Sequence, residues 1–373
     1  MKNFRCHCGN TVYFENHRCL ACGRVLGFLP EYGVLAALEP AGGASWRPLH
    51  AAAAHRQYRQ CANYRDQHVC NWMVAADDPG DYCRSCRLNH VIPDLGDAGN
   101  RRLWFRIEKA KRRLLYTLFG LGLPVAGKAE EGVDGLGFEF LRDPQPDSEF
   151  SDDYGYYRKV MTGHRDGVIT INLAEADHGV REEMRRRMGE RYRTLLGHFR
   201  HESGHYYWGR FFRDEPALAR FRAVFGDERA DYSGALGRYY ADGAPADWQR
   251  HFVSAYAACH PWEDWAETWA HYLHLVDTLE TAEDLGFALE GRPVRALRPA
   301  SAVAVTRAQG YGDTPEGQAF HAVLHDWVRL TLAMNALNRS MGLRDAYPFV
   351  LSQAVVDKLD FVHQVVGEHA AGA

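Results

Sequence analysis

The chain has no apolar run approaching the length of a membrane span, so no spanning helix is expected. Its opening residues, Met-Lys-Asn-Phe-Arg-Cys, lack the apolar stretch of a secretory signal, and a reducing, cytoplasmic compartment is expected. An excess of one charge is missing too. The 44 Lys and Arg face 48 Asp and Glu, for a net charge of −4, which argues against broad nucleic-acid binding. No internal repeat shows beyond the cysteines, and Ala51–Ala54 is the main low-complexity tract. Cysteine is nearly absent from most of the chain: of nine, only Cys259 lies beyond residue 86. With no base partner indicated, Cys259 reads as a small buried hydrophobe.

The other eight cysteines form two quartets, Cys6, Cys8, Cys19 and Cys22, then Cys61, Cys70, Cys83 and Cys86. Cys19-Leu-Ala-Cys22 and Cys83-Arg-Ser-Cys86 have the short spacing that aims two thiolates at one tetrahedral zinc. Cys6-His-Cys8 is one residue shorter, and His7 is an alternative donor there. Cys61 and Cys70, nine apart, are less regular. In a reducing compartment such clusters hold metal more often than disulfides. Two structural zinc ions are expected, closed sites that support the fold and do no chemistry. Asn10–Asn16 reads as a short strand entering a turn, as in a zinc ribbon. Ala41-Gly-Gly-Ala-Ser45 reads as a turn or a flexible joint between two ribbons.

His201-Glu202-Ser203-Gly204-His205 carries the chemistry. On a helix, residues i and i+4 share a face, so both imidazoles reach one zinc. Glu202 points about 100° round the helix, as 3.6 residues per turn dictate. A general base belongs there, beside the open metal position. Met184, Met188, Tyr192, Leu195, Leu196 and Phe199 recur at helical spacing into Tyr206 and Tyr207, predicting one amphipathic helix over 181–208. The bland alternative is a helix with two buried histidines and no metal.

Catalytic zinc takes three protein ligands and a water. No histidine follows His205 until His251, so a nearby third histidine of the metzincin kind is excluded. A second helix offers a carboxylate: His260-Pro261-Trp262-Glu263-Asp264-Trp265-Ala266-Glu267-Thr268-Trp269-Ala270-His271. Pro261 suits a first helical turn, and acids there suit the helix dipole. Glu263 is the expected third ligand. Glu267, one turn on, is expected to hold a ligand histidine through its free ring N–H, a task that His271 or Asp264 could share. Ala266 and Ala270 permit close approach, and Gly204 gives matching room. Tyr256 is the candidate donor for a developing oxyanion.

These residues resemble the gluzincin arrangement of anthrax lethal factor, whose ligands are the two histidines and the first glutamate of Glu-x-x-Ala-Glu. That resemblance implies a tyrosine near this glutamate, matched in position by Tyr256. More of the chain is similar to a bacterial zinc-binding metallopeptidase family with an N-terminal zinc ribbon. The matching pieces are the cysteine pairs, Phe14-Glu15-Asn16, the HESGH segment, the tryptophan-rich stretch from His260, and Leu337-Asn338-Arg339-Ser340-Met341-Gly342 with Asp345 and Tyr347-Pro348-Phe349. The zincin fold so implied has a small sheet whose edge strand pairs with substrate, here Val168–Leu173; an interior strand is the alternative.

The expected fold class is α+β: a double zinc-ribbon region of small β structure over 1–97, then a mostly helical zincin-like domain with a small sheet over 98–373. Helices are expected near 101–120, 181–208, 214–225, 262–280, 314–341 and 351–368, with strands at Leu136–Leu141 and Gly167–Leu173. The expected activity is zinc-dependent hydrolysis of a peptide or protein, with zinc-activated water, Glu202 as general base and three zinc ions, one of them catalytic. The alternative is a zinc-stabilised docking protein, for protein or nucleic acid, with an inactive HExxH site. The basic run Arg101, Arg102, Arg106, Lys109, Lys111, Arg112 and Arg113 reads as a solvated helix face before a nucleic-acid site. Asn338 and Arg339 read as a helix-end network before a substrate-binding turn.

Overall fold

The computed structural model describes residues 2–143, 160–187, 193–299 and 320–370. They pack as two compact units: Phe4–Leu115 with Val125–Phe199, and Met1–Asn3 with Tyr116–Pro124 and Arg200–Ala373. Helices and sheets are mixed throughout, an α+β chain. No helix among the described residues is long and apolar enough to cross a membrane.

The first unit begins with a hairpin of β1 (Phe4–Arg5) and β2 (Thr11–Val12). A five-stranded antiparallel sheet follows: β3 (Val25–Leu29), β4 (Val34–Pro40), β5 (Ser45–Pro48), β6 (Tyr58–Gln60) and β7 (Met73–Ala75), in that order. Leu26–Leu29 and Leu35–Leu38 are continuously buried, so both sheet faces are covered and the sequence cannot alternate. Of the two expected readings of Ala41–Ser45, a turn or a flexible joint, the structure shows the turn. It is the turn between β4 and β5, closed by Ala41 N–H donating to Ser45 O at 2.9 Å, with Gly42 and Gly43 at φ 98° and 56°. The core is aromatic: Phe14 meets Phe28 edge-on at 5.0 Å, and Phe28 lies 4.8 Å from Trp72.

β8 (Asn89–Val91), β9 (Gly137–Leu141), β10 (Gly163–Arg165) and β11 (Val168–Asn172) form a second sheet in the order β10-β11-β9-β8. β11 pairs parallel with β9 and antiparallel with β10. Both its backbone edges are occupied, which overturns Val168–Leu173 as a substrate-pairing edge. Helix α1 (Ala98–Gly120) carries the basic run. Arg101, Arg102 and Arg106 are exposed, as on a solvated face, but the C-terminal part of the run is engaged. Lys111 and Arg112 are buried beside Glu108, Arg113 pairs with Glu15, and Arg106 donates to Ala176 O.

The helix expected over 181–208 is two: α2 (His178–Arg187) and α3 (Leu195–Phe211). Met188 and Tyr192 lie outside the described residues. Thr194 starts α3, its Oγ1 accepting Gly197 N–H at 2.9 Å. Next come α4 (Glu215–Phe225), α5 (Tyr232–Asp242), α6 (Pro261–Asp284), α7 (Phe320–Ser340) and α8 (Gln353–Ala370). The expected start of α7, 314–319, lies outside the described residues. In the second unit Trp265 and Trp269 are wholly buried, among Tyr207, Phe212, Phe225 and Phe361. The Asn338–Asp345 segment closes on itself. Asn338 donates to Arg344 O, and Arg339 grips Asp345 at 2.6 and 2.7 Å. It is a helix-end clasp.

Candidate metal centre

α3 and α6 meet where α3 has no side chain. A Cβ on Gly204 would sit 2.9 Å from Ala266 Cα and 3.1 Å from Trp269 Cδ1. The contact is locked by two indole hydrogen bonds: Trp265 Nε1 donates to Gly204 O at 2.9 Å, and Trp269 Nε1 to Ser203 Oγ at 3.0 Å. Gly204→Val should therefore push the helices apart, costing about 1–3 kcal/mol. Urea unfolding should show that loss, with weaker metal uptake at the neighbouring histidines.

The approach brings His201, His205 and Glu263 together, their ligand atoms all within 4.8 Å of one another. His201 Nε2 lies 3.0 Å from Glu263 Oε2, His205 Nε2 lies 3.4 Å from Glu263 Oε1, and the two Nε2 atoms are 3.2 Å apart. Glu263 Oε2 is buried, yet its approach to His201 lacks hydrogen-bond alignment. Three donors converging on one point, one of them a buried carboxylate oxygen without a hydrogen bond, fit a divalent cation.

Glu267 sits behind them. Its Oε1 lies 2.7 Å from His201 Nδ1, and its Oε2 accepts the Ser254 hydroxyl at 2.7 Å. His271 and Asp264, the residues that could share that task, are engaged elsewhere, His271 with the Tyr347 hydroxyl and Asp264 with Lys358 at 2.6 Å. Burial opposes every charge here, but the contacts of His201 with the two carboxylates outweigh it. The proton affinity of His201 is raised, and Glu263 and Glu267 are held below the usual carboxylate range. A metal ion would replace that proton.

Glu202 is buried and stands outside the ligand trio. Tyr256 opens a short turn before α6, its ring centroid 6.0 Å from that of His201. Sequence reading missed Tyr232, whose hydroxyl donates to Glu263 Oε1 at 2.8 Å. It lies 31 residues before Glu263, and no local pattern marks it. It missed Trp262 as a wall of the site as well, its ring 4.4 Å from that of His205. Burial, then the charges of Glu263 and Glu267, push the Cys259 thiol up to about 12, unsuited to nucleophilic attack at neutral pH.

Each cysteine quartet likewise gathers its four sulfurs within 4.8 Å. In the first, Cys6 and Cys22 are 3.6 Å apart and Cys8 and Cys19 are 3.7 Å apart; His7 is exposed and outside the group. All four cysteines of the second are buried, and Trp72 N–H and Cys83 N–H donate to the sulfurs of Cys70 and Cys61 at 3.4 Å.

A family model described as "Putative zinc-binding metallo-peptidase" matches residues 100–365, and one described as "zinc-ribbon domain" matches residues 3–97. A protein of Mycobacterium bovis and proteins of two Mycobacterium tuberculosis strains, all named only as uncharacterized, are 42% identical over 372 residues. The match covers 99% of this chain and 96% of each relative. No solved structure matches.

Proposed function

This chain belongs to the family of zinc-binding metallopeptidases, and we propose that it hydrolyses peptide bonds at a zinc held by His201, His205 and Glu263. The reading divides it into a ribbon region over 1–97 with two structural zinc ions and a gluzincin-like, zincin-type hydrolase over 98–373. The observation that carries it is the convergence of both imidazoles and one buried carboxylate from α3 and α6.

A bound zinc would polarise the peptide carbonyl and lower the pKa of water. Glu202 would accept the proton of the attacking water and return it to the leaving amine. Glu267, anchored by Ser254, holds the His201 ring with Nε2 forward. Tyr256 supplies a neutral O–H toward the developing oxyanion. Burial, then the Glu263 charge, pushes that phenol far above its usual pKa, so it stays a donor.

Metal content and peptide cleavage test this reading together. Three zinc ions per chain are expected, with hydrolysis of a peptide library that a chelator stops and added zinc restores. Two zinc ions and no cleavage would favour a zinc-stabilised docking protein.

A further inference from the structure

Tyr232 is the first residue of α5, and its position is built from both sides. Asp231 caps that helix by accepting Gly234 N–H at 3.1 Å. His260, the cap of α6, accepts Trp262 N–H on Nδ1 at 3.1 Å. Its proton is then assigned to Nε2, which donates to Ala230 O at 3.1 Å. The residue entering one helix cap is thus tied to the residue capping the ligand helix. The Tyr232 ring completes the joint, edge-on to His260 at 5.2 Å and to Trp262 at 5.9 Å.

What this joint delivers is one O–H bond, donated to Glu263 Oε1 at 2.8 Å. Oε1 also lies 3.4 Å from His205 Nε2, whereas Oε2, 3.0 Å from His201 Nε2, is buried with no aligned hydrogen bond. The two oxygens of one carboxylate are therefore distinguished by their surroundings. We propose that Tyr232 is a positioning residue that occupies Oε1 of Glu263 and so restricts this carboxylate to coordinating metal through Oε2 alone. The inference rests on the zinc hydrolase reading. A carboxylate can bind zinc through one oxygen or two, and binding through both would crowd the vertex that water must occupy. A hydrogen bond to a ligating carboxylate sets its orientation and is worth much to metal affinity. Tyr256 has its ring centroid 6.0 Å from that of His201, and the tyrosine whose hydroxyl donates to this carboxylate is Tyr232.

Tyr232→Phe removes the O–H and keeps the ring. Mild chelation should empty the open site and leave the closed cysteine sites filled. Zn²⁺ affinity is then measured by competition with the chelator, and Co²⁺ is added to report coordination number by its visible absorption. The parent should show the intense bands of four-coordinate cobalt. In Tyr232→Phe, Zn²⁺ affinity should fall about 10–100-fold, and the cobalt bands should weaken as the second oxygen joins. Tyr256→Phe should keep both affinity and spectrum. Parent-like affinity and bands in Tyr232→Phe would overturn the inference, as would weak, higher-coordinate bands in the parent itself, a measurement needing no variant. A parent that takes up no metal here would instead remove the hydrolase reading, and this inference with it.

Discussion

Glu202→Gln should leave three zinc ions and an unchanged fold while lowering peptide turnover by about two to four orders of magnitude. The substitution keeps the shape of the side chain and removes only its capacity to take a proton. Glu202 stands on α3 between the two histidines but outside the ligand trio, so metal content should not move. Its burial means the carboxylate meets few bulk waters, which suits a base acting on one held molecule. The comparison is turnover against zinc per chain, both measured on the same preparation. Full turnover would take Glu202 out of the mechanism, whereas loss of both would make it a structural residue.

Cys70→Ser should cost the first unit a zinc ion and its folded state. Structural zinc in small Cys-rich modules contributes apparent free energies of about 10–16 kcal/mol. That is comparable to the whole stability of an ordinary domain, about 5–15 kcal/mol. The second quartet is also where charge is compensated internally. Arg112 is 2% exposed and donates to Val69 O at 2.5 Å. Burial works against its charge, yet the cysteines and Glu108 hold its pKa above the usual value. Without metal and thiolates, that guanidinium is left buried with too few partners. Cys8→Ser should be milder, because Cys8 is exposed and Cys22 half-exposed, so water can replace what is lost. Zinc per chain and protease resistance of the N-terminal residues would read both variants. A Cys70→Ser chain that keeps two structural zinc ions and resists protease as the parent does would dismiss the second quartet as a zinc site.

Legibility in the sequence followed physical cause. α3 and α6 could be read because a metal ligand pair needs i,i+4 spacing and because Pro261 and first-turn acids mark a helix start. The arrangement of Ala266 against Gly204 could be read because close helix approach demands small residues at one level. The five-stranded sheet could not be read: its strands are short, and those buried on both faces lose alternation. The glycines at 42 and 43 signal a turn, but nothing local distinguishes a hairpin from a joint. One helix over 181–208 was expected because apolar spacing runs on through 188–199; it does not encode the cap that Thr194 provides. β11 looked free because strand order is a long-range property. Tyr232 was invisible for the same reason, since its partnership with Glu263 exists only once α5 and α6 share an end.

Within His201–His205, the two histidines belong to the ligand trio with Glu263, and the two residues just before His205 do a different job. Ser203 and Gly204 receive the tryptophan indoles and leave space for a neighbouring backbone. The five-letter word therefore encodes adhesion as well as chemistry, and its supposedly free positions are constrained by a helix sixty residues downstream. A search pattern that leaves those letters open describes two histidines one helical turn apart. One that writes serine and glycine there, with alanine at 266 and tryptophans at 265 and 269, describes this architecture.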